Sequence, residues 1–155
     1  MLIAAATVAF IHHVAAFTLV AALAVEAVLV SGGLTVRSAR VVQRADMILG
    51  VAAGVLLIAG LARVFHFEKG WTYYASSAPF IVKFSLFVVV ALLSIYPTVV
   101  FLSWRKPAKL AALLAAADDA LRPVRIVIYL ELVAVAIIIL CAALMARGIG
   151  VWTAV

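Results

Sequence analysis

Ile3 to Val30 reads IAAATVAFIHHVAAFTLVAALAVEAVLV, and Val124 to Ala146 reads VRIVIYLELVAVAIIILCAALMA. Neither run carries the regularly spaced polar residues that a helix on a soluble domain turns toward water. At 1.5 Å per residue even the shorter run reaches about 35 Å, enough to cross roughly 30 Å of hydrocarbon. Met47 to Phe65 and Pro79 to Trp104 are built in the same way. The short alternating segments of a membrane β-barrel are absent, so helices are the remaining way to satisfy the backbone in lipid. The expected fold is all-α: an integral membrane four-helix bundle forming one domain over residues 1–155, with spans at about 3–30, 47–65, 79–104 and 124–146.

Composition gives the same answer independently. The chain is 70% hydrophobic and 12% charged, with a mean hydropathy of +1.35. A soluble domain is about half apolar and about a quarter charged, so this excess has no interior large enough to hide it. The single cysteine, Cys141, rules out an intramolecular disulfide framework, a cysteine zinc site and a CxxC redox pair. A net charge of +6 suggests nucleic acid in a soluble protein. In a chain this apolar the basic residues instead mark cytoplasmic loops and anionic headgroups, and no nucleic-acid partner is expected. The first run lacks a preceding basic stretch and carries His12, His13 and Glu26, so it reads as a retained span rather than a cleaved leader.

Lysine and arginine also orient the chain. Arg37, Arg40 and Arg44 lie between the first two spans, and Arg105, Lys106, Lys109 and Arg122 between the last two. The opposite side holds only Lys69 and Arg147. Both termini are therefore expected outside and the two basic loops in the cytoplasm of a bacterial inner membrane. Trp71, Tyr73, Tyr74 and Trp152 are expected in the outer aromatic belt and Trp104 in the inner one. Pro107 to Leu121 reads as a short amphipathic helix on the cytoplasmic face, carrying Asp118 and Asp119 and stopped by Pro123. Gly50 and Gly54 form a small-xxx-small pair suited to close helix packing.

The informative residues are those that hydrocarbon should exclude. An ionisable group near the midplane costs about 2.5–3.5 kcal/mol on insertion scales, so each needs a partner, a water cavity or a ligand. His12, His13, Arg63 and Lys83 fall in one half of the membrane, and Glu26, Tyr96 and Glu131 in the other, with Asp46 and Arg125 at its boundary. His12 and Glu26 are two heptads apart and so share a helix face to within about 40°. Imidazole ligates haem iron, and the propionates of a porphyrin call for Lys or Arg near the membrane surface. His12 or His13, with Arg63 and Lys83, meet that demand. Other readings are a copper site using His12, His13 and His66, a proton relay through Glu26 and Glu131, and plain salt bridging of these carboxylates to Arg44 or Arg125. Pro97 is expected to free the carbonyl near Leu93 and to kink the third span.

FIHHVAAF on the first span, ARVFHFEKGWTYY after the second and APFIVKFSLFVVVALLSIYPTVVFLSWRK on the third resemble an uncharacterised family of small bacterial four-helix membrane proteins. The likeness runs from about Phe10 to Lys106, chiefly through the His-His pair, the FEKG turn and SIYPT. More distantly, the layout is similar to HemJ-type protoporphyrinogen oxidase and to the membrane domain of the copper-resistance D family. The HemJ-type likeness implies a haem b protein in which an early histidine of helix one and an early lysine of helix three matter. His12 or His13 and Lys83 occupy those places, whereas ALAVEAVLVSGG departs from the Arg- and His-containing run found there in the HemJ type. The expected function is thus haem b or porphyrin binding in an electron-transfer or oxidoreductase setting. The alternatives are a non-catalytic accessory subunit of a larger membrane complex, a homo-oligomer, or a copper or proton transporter.

Overall fold

The computed structural model describes residues 2–115 and 118–152, and nearly all of them are helical. Four helical segments are long and apolar enough to cross a membrane: Leu2–Ser31, Val36–Phe67, Ala78–Ser103 and Arg122–Ala146. The first is α1 (Leu2–Ser31) and the second is α2 (Val36–Ala62), extended by a π-helical turn at Arg63–Phe67. A short α3 (Trp71–Ala75) precedes α4 (Ala78–Leu93) and α5 (Ile95–Ser103), which together make the third segment. Then come α6 (Pro107–Ala115), a 3-10 turn at Asp118–Leu121 and α7 (Arg122–Ala146). Part of the expected surface helix, Ala116 and Ala117, and the side chains of Asp118 and Asp119 lie outside the described residues.

The second helix starts at Val36, well before Met47. Thr35 caps it reciprocally with Ser38: each side chain bonds the other's backbone N–H, at 3.1 and 2.8 Å. The early turns are amphipathic. Ala39, Val42, Ala45 and Asp46 are buried, while Arg37, Arg40 and Arg44 are exposed. Those arginines depress the hydropathy of a stretch that is nonetheless helical, which is why the apolar run alone places the start too late.

α1 lies along α2, and α7 lies along α4; contacts of α1 with α7 and of α5 with α2 join the two pairs. The core gathers at the end carrying the basic loops, where Leu23, Val30, Val42, Phe101, Val124 and Ile128 are buried together. Leu110 and Leu113 dock α6 onto it. Trp104 belongs to this core, 4% exposed and 4.8 Å from the Phe101 ring; it is not a belt residue. The third segment breaks at Ser94, because Pro97 has no N–H to offer the Leu93 carbonyl. Gln43 bonds the Phe101 carbonyl at 2.8 Å and so ties α2 to α5.

At the opposite, aromatic end the chain after α7 returns to the start of α4. Ala78 N–H donates to the Gly150 carbonyl at 2.9 Å, and Trp152 N–H to the Ser76 carbonyl at 2.8 Å. Trp71 stacks on Phe65 and meets Phe80 edge-on. Tyr74 is buried rather than at the surface. Gly50 and Gly54 are exposed with no atom within 4 Å of where a Cβ would stand. They therefore do not mediate packing within the chain, and the close approach of α1 and α2 falls at Gly60 instead.

Candidate functional site

His12 and His13 are adjacent, so helix geometry turns them about 100° apart, and the structure separates them. His12 is half-buried against α2, where a Cβ on Gly60 would lie 3.3 Å from Cε1 and 3.5 Å from Nδ1. The missing side chain is what admits the ring. Nδ1 of His12 is enclosed and has no hydrogen-bond partner; the Leu56 backbone stands nearby but outside hydrogen-bond geometry. His13 is exposed, and its Nδ1 lies 2.6 Å from the Ala9 carbonyl, so Nδ1 carries the proton and donates it. The two rings meet edge-on at 5.9 Å.

The π-helical turn after α2 sets Arg63, whose Nε donates to Glu68 Oε1 at 2.8 Å and whose second guanidinium nitrogen pairs with the same oxygen. The Tyr74 hydroxyl donates to the other oxygen, Oε2. Burial opposes the charge of Glu68, but the hydrogen bonds from Tyr74 and Arg63 and the Arg63 charge outweigh it and hold the carboxyl below its ordinary value. Burial and the Glu68 contact push the Tyr74 phenol up. Lys69 lies over the Tyr73 ring, 4.3 Å from its centroid.

Lys83 projects from α4 and is half-buried. Among the described residues its ammonium makes no hydrogen bond or contact ion pair, but it lies within electrostatic reach of Glu68. The charges of Lys83 and Arg63 both act on the His12 ring, so α1, α2 and α4 bring the three residues within electrostatic reach of one another. Arg63, however, is engaged by Glu68. His66 is exposed beside Phe67 and does not complete a three-histidine copper site. Among the described residues no group of three or more His, Cys, Asp or Glu is arranged to hold a metal ion.

The second polar layer is tighter. Glu26 on α1, Asp46 on α2 and Glu131 on α7 are 1%, 8% and 1% exposed. The Ser94 hydroxyl donates to Glu131 Oε1 at 2.7 Å, and the Thr98 hydroxyl to Asp46 Oδ1 at 2.6 Å. Glu26 Oε1 is enclosed without a partner. Serine and threonine hydroxyls, rather than the exposed Arg44, are the donors seen on Glu131 and Asp46. Tyr96 is exposed and stands apart from this layer. Tyr129 is exposed as well, and its hydroxyl meets Ser31 at 3.2 Å. Sequence reasoning left Asp46 at a boundary and passed over Thr98, Glu68 and Tyr74; the available signal was the Ser94/Thr98 pair, one helical turn apart on one face.

No curated protein and no solved structure matches this chain. A family model described as "Predicted membrane protein (DUF2214)" does, over residues 4–150. That stretch takes in nearly the whole of α1, all of α7 and both polar layers between them, and the chain belongs to the DUF2214 family of predicted membrane proteins.

Proposed function

We propose that this chain is a multi-pass protein of the bacterial inner membrane that binds haem b or a related porphyrin through His12 and works in an electron-transfer or oxidoreductase setting. The observation that carries the reading is the pairing of His12 with Lys83. A half-buried imidazole comes from one helix, and a half-buried ammonium, within electrostatic reach of both that ring and Glu68, comes from another helix in the same region. A ligating nitrogen and a nearby cation are the two groups that a tetrapyrrole with propionates requires of a protein. Bound haem supplies one-electron chemistry.

The protein's own residues then divide the work. His12 is the ligand candidate, and Gly60 sets the position of its ring. His13 is exposed and turned about 100° from His12; its Nδ1 proton goes to the Ala9 carbonyl, which leaves Nε2 as the lone-pair nitrogen of a second candidate. Lys83 neutralises an anionic group. Arg63 acts mainly by tying the end of α2 to Glu68 and Tyr74, with Lys83 on the neighbouring α4. The likeness of the first and third spans to HemJ-type protoporphyrinogen oxidase points the same way. The orientation proposed places Arg37, Arg40, Arg44, Arg105, Lys106 and Lys109 in the cytoplasm with α6 on that face, and puts both termini outside.

The visible spectrum of membranes enriched in the protein tests this reading. A Soret band that disappears in His12→Ala, persists in His13→Ala and weakens or shifts in Lys83→Ala is expected. A colourless protein that co-purifies with other membrane subunits would replace this reading by that of a non-catalytic accessory subunit.

A further inference from the structure

The carboxyl layer belongs to none of this chemistry. It lies about 21 Å along α1 from His12, taking the fourteen residues from His12 to Glu26 at 1.5 Å each. Three acids from three helices meet inside a lipid-facing bundle, and each lies within electrostatic reach of the other two. Two hydroxyl hydrogens are donated to them, one from Ser94 and one from Thr98. Neither reaches Glu26, whose Oε1 is enclosed and unpartnered on a residue that is 1% exposed.

The donors that the packed elements present to this layer are the Ser94 and Thr98 hydroxyls. α2 presents Asp46 and keeps Arg44 exposed; α7 presents Glu131, with Tyr129 exposed and Arg125 half-buried nearly two turns earlier. The third span presents only Ser94 and Thr98, with Tyr96 exposed. α1 itself contributes no other ionisable side chain at this depth. A carboxylate taken out of water costs several kcal/mol even after relaxation. Three adjacent ones with two neutral donors are therefore costly to keep ionised together. Among the described residues the three carboxyls are not grouped to hold a metal ion together. A proton needs only one oxygen and an acceptor beside it.

We infer that Glu26, Asp46 and Glu131 form an intramembrane proton-binding site, with Glu26 Oε1 as the position that gains and loses the proton. A shallow groove of about 460 Å³ runs between α1 and α7 on the surface beside this layer, without reaching the carboxyls themselves. Ala27 and Leu132 line it and are the chain neighbours of Glu26 and Glu131, and Ser31 and Tyr129 place their hydroxyl pair there.

Infrared spectroscopy of the full chain in lipid decides the matter, because a protonated carboxyl has a C=O band well separated from ionised carboxylates. The expected result is such a band at neutral pH, shifted in D2O, bleached by alkali and lost in Glu26→Gln. The wild-type titration stands alone if that variant does not accumulate in membranes. Dicyclohexylcarbodiimide, which modifies protonated carboxyls in apolar surroundings, is expected to label Glu26 in the wild type and to label it less at alkaline pH. A spectrum in which every carboxylate is ionised at neutral pH, with or without bound sodium, overturns the inference. So does a protonated band that survives Glu26→Gln unchanged.

Discussion

The three glycines of α2 permit a sharp test of where His12 sits. Replacing a helical glycine by alanine contributes about 0.8–1.0 kcal/mol through backbone entropy. At Gly50 and Gly54 nothing lies within 4 Å of the new methyl, so each variant should show roughly that full gain. At Gly60 the methyl would stand 3.3 Å from His12 Cε1 and 3.5 Å from Nδ1, at or inside the contact optimum of about 3.5–4.0 Å. Either the ring or the α1–α2 seam must yield, and overpacking of this kind costs about 1–3 kcal/mol. Because the helix term is common to both substitutions, the difference between Gly60→Ala and Gly50→Ala isolates the packing term. For a chain of this size that is a gap of roughly 2–12 °C in Tm, read from thermal unfolding in detergent by circular dichroism. Adding His12→Ala should close the gap, since the ring is what the methyl strikes; the double-mutant cycle measures that coupling directly. A Gly60→Ala protein as stable as Gly50→Ala would show that the imidazole does not occupy the seam, and with it the haem proposal would lose its geometry.

Other consequences are independent of that seam. Thr35→Ala removes one side of the reciprocal cap and should cost about 1 kcal/mol, with Thr35→Asn close to neutral, as measured by the same melts. Gly150→Ala forces a side chain onto a backbone at φ +79° and puts its Cβ 2.8 Å from Pro79 Cδ; the backbone term alone is about 1–2 kcal/mol. Faster amide exchange at Ala78 and Trp152, whose N–H groups make the two bonds of this clasp, would report the loss. Glu68 has its folded value held below the ordinary one. Its contribution is therefore complete above the ordinary carboxylate range and is lost as pH falls through the lowered value. Acidification should loosen the Arg63–Glu68–Tyr74 contact in the wild type and change nothing in Glu68→Gln, and Tyr74 absorbance is the probe.

The four spans were legible because hydropathy reports depth in a membrane, and depth alone decides whether a segment is helical there. Azimuth is a separate quantity that a run of alanine, valine and leucine barely encodes. For that reason Trp104 and Tyr74, aromatic residues at the right depth for a belt, turn inward, and the Gly50/Gly54 pair faces outward while Gly60 makes the close approach. The paired histidines needed an actual neighbour to tell them apart, since consecutive positions always diverge on a helix. Asp46 read as a boundary residue only because the arginines ahead of it masked three helical turns whose apolar face is continuous with the core. The Arg63–Glu68–Tyr74 contact left no periodic signal, because a π-helical turn and a loop set it.

The two polar layers have opposite character: cationic side chains near His12, and carboxyls served by neutral hydroxyl donors around Glu26. It is tempting to join them into one relay, but about 21 Å of α1 lies between. Along that stretch the buried side chains of α1 are Ala15, Leu19, Ala22 and Leu23. Protons do not cross such a layer without water, and charges that far apart couple weakly. The sites should therefore behave additively. His12→Ala is expected to leave the protonated-carboxyl band and its pH dependence unchanged, and Glu26→Gln is expected to leave any Soret band in place. Should either substitution alter the other site's spectrum, the two layers share a water-filled path or a bistable helix contact, and the chain would be a coupled device rather than a bundle with two independent sites.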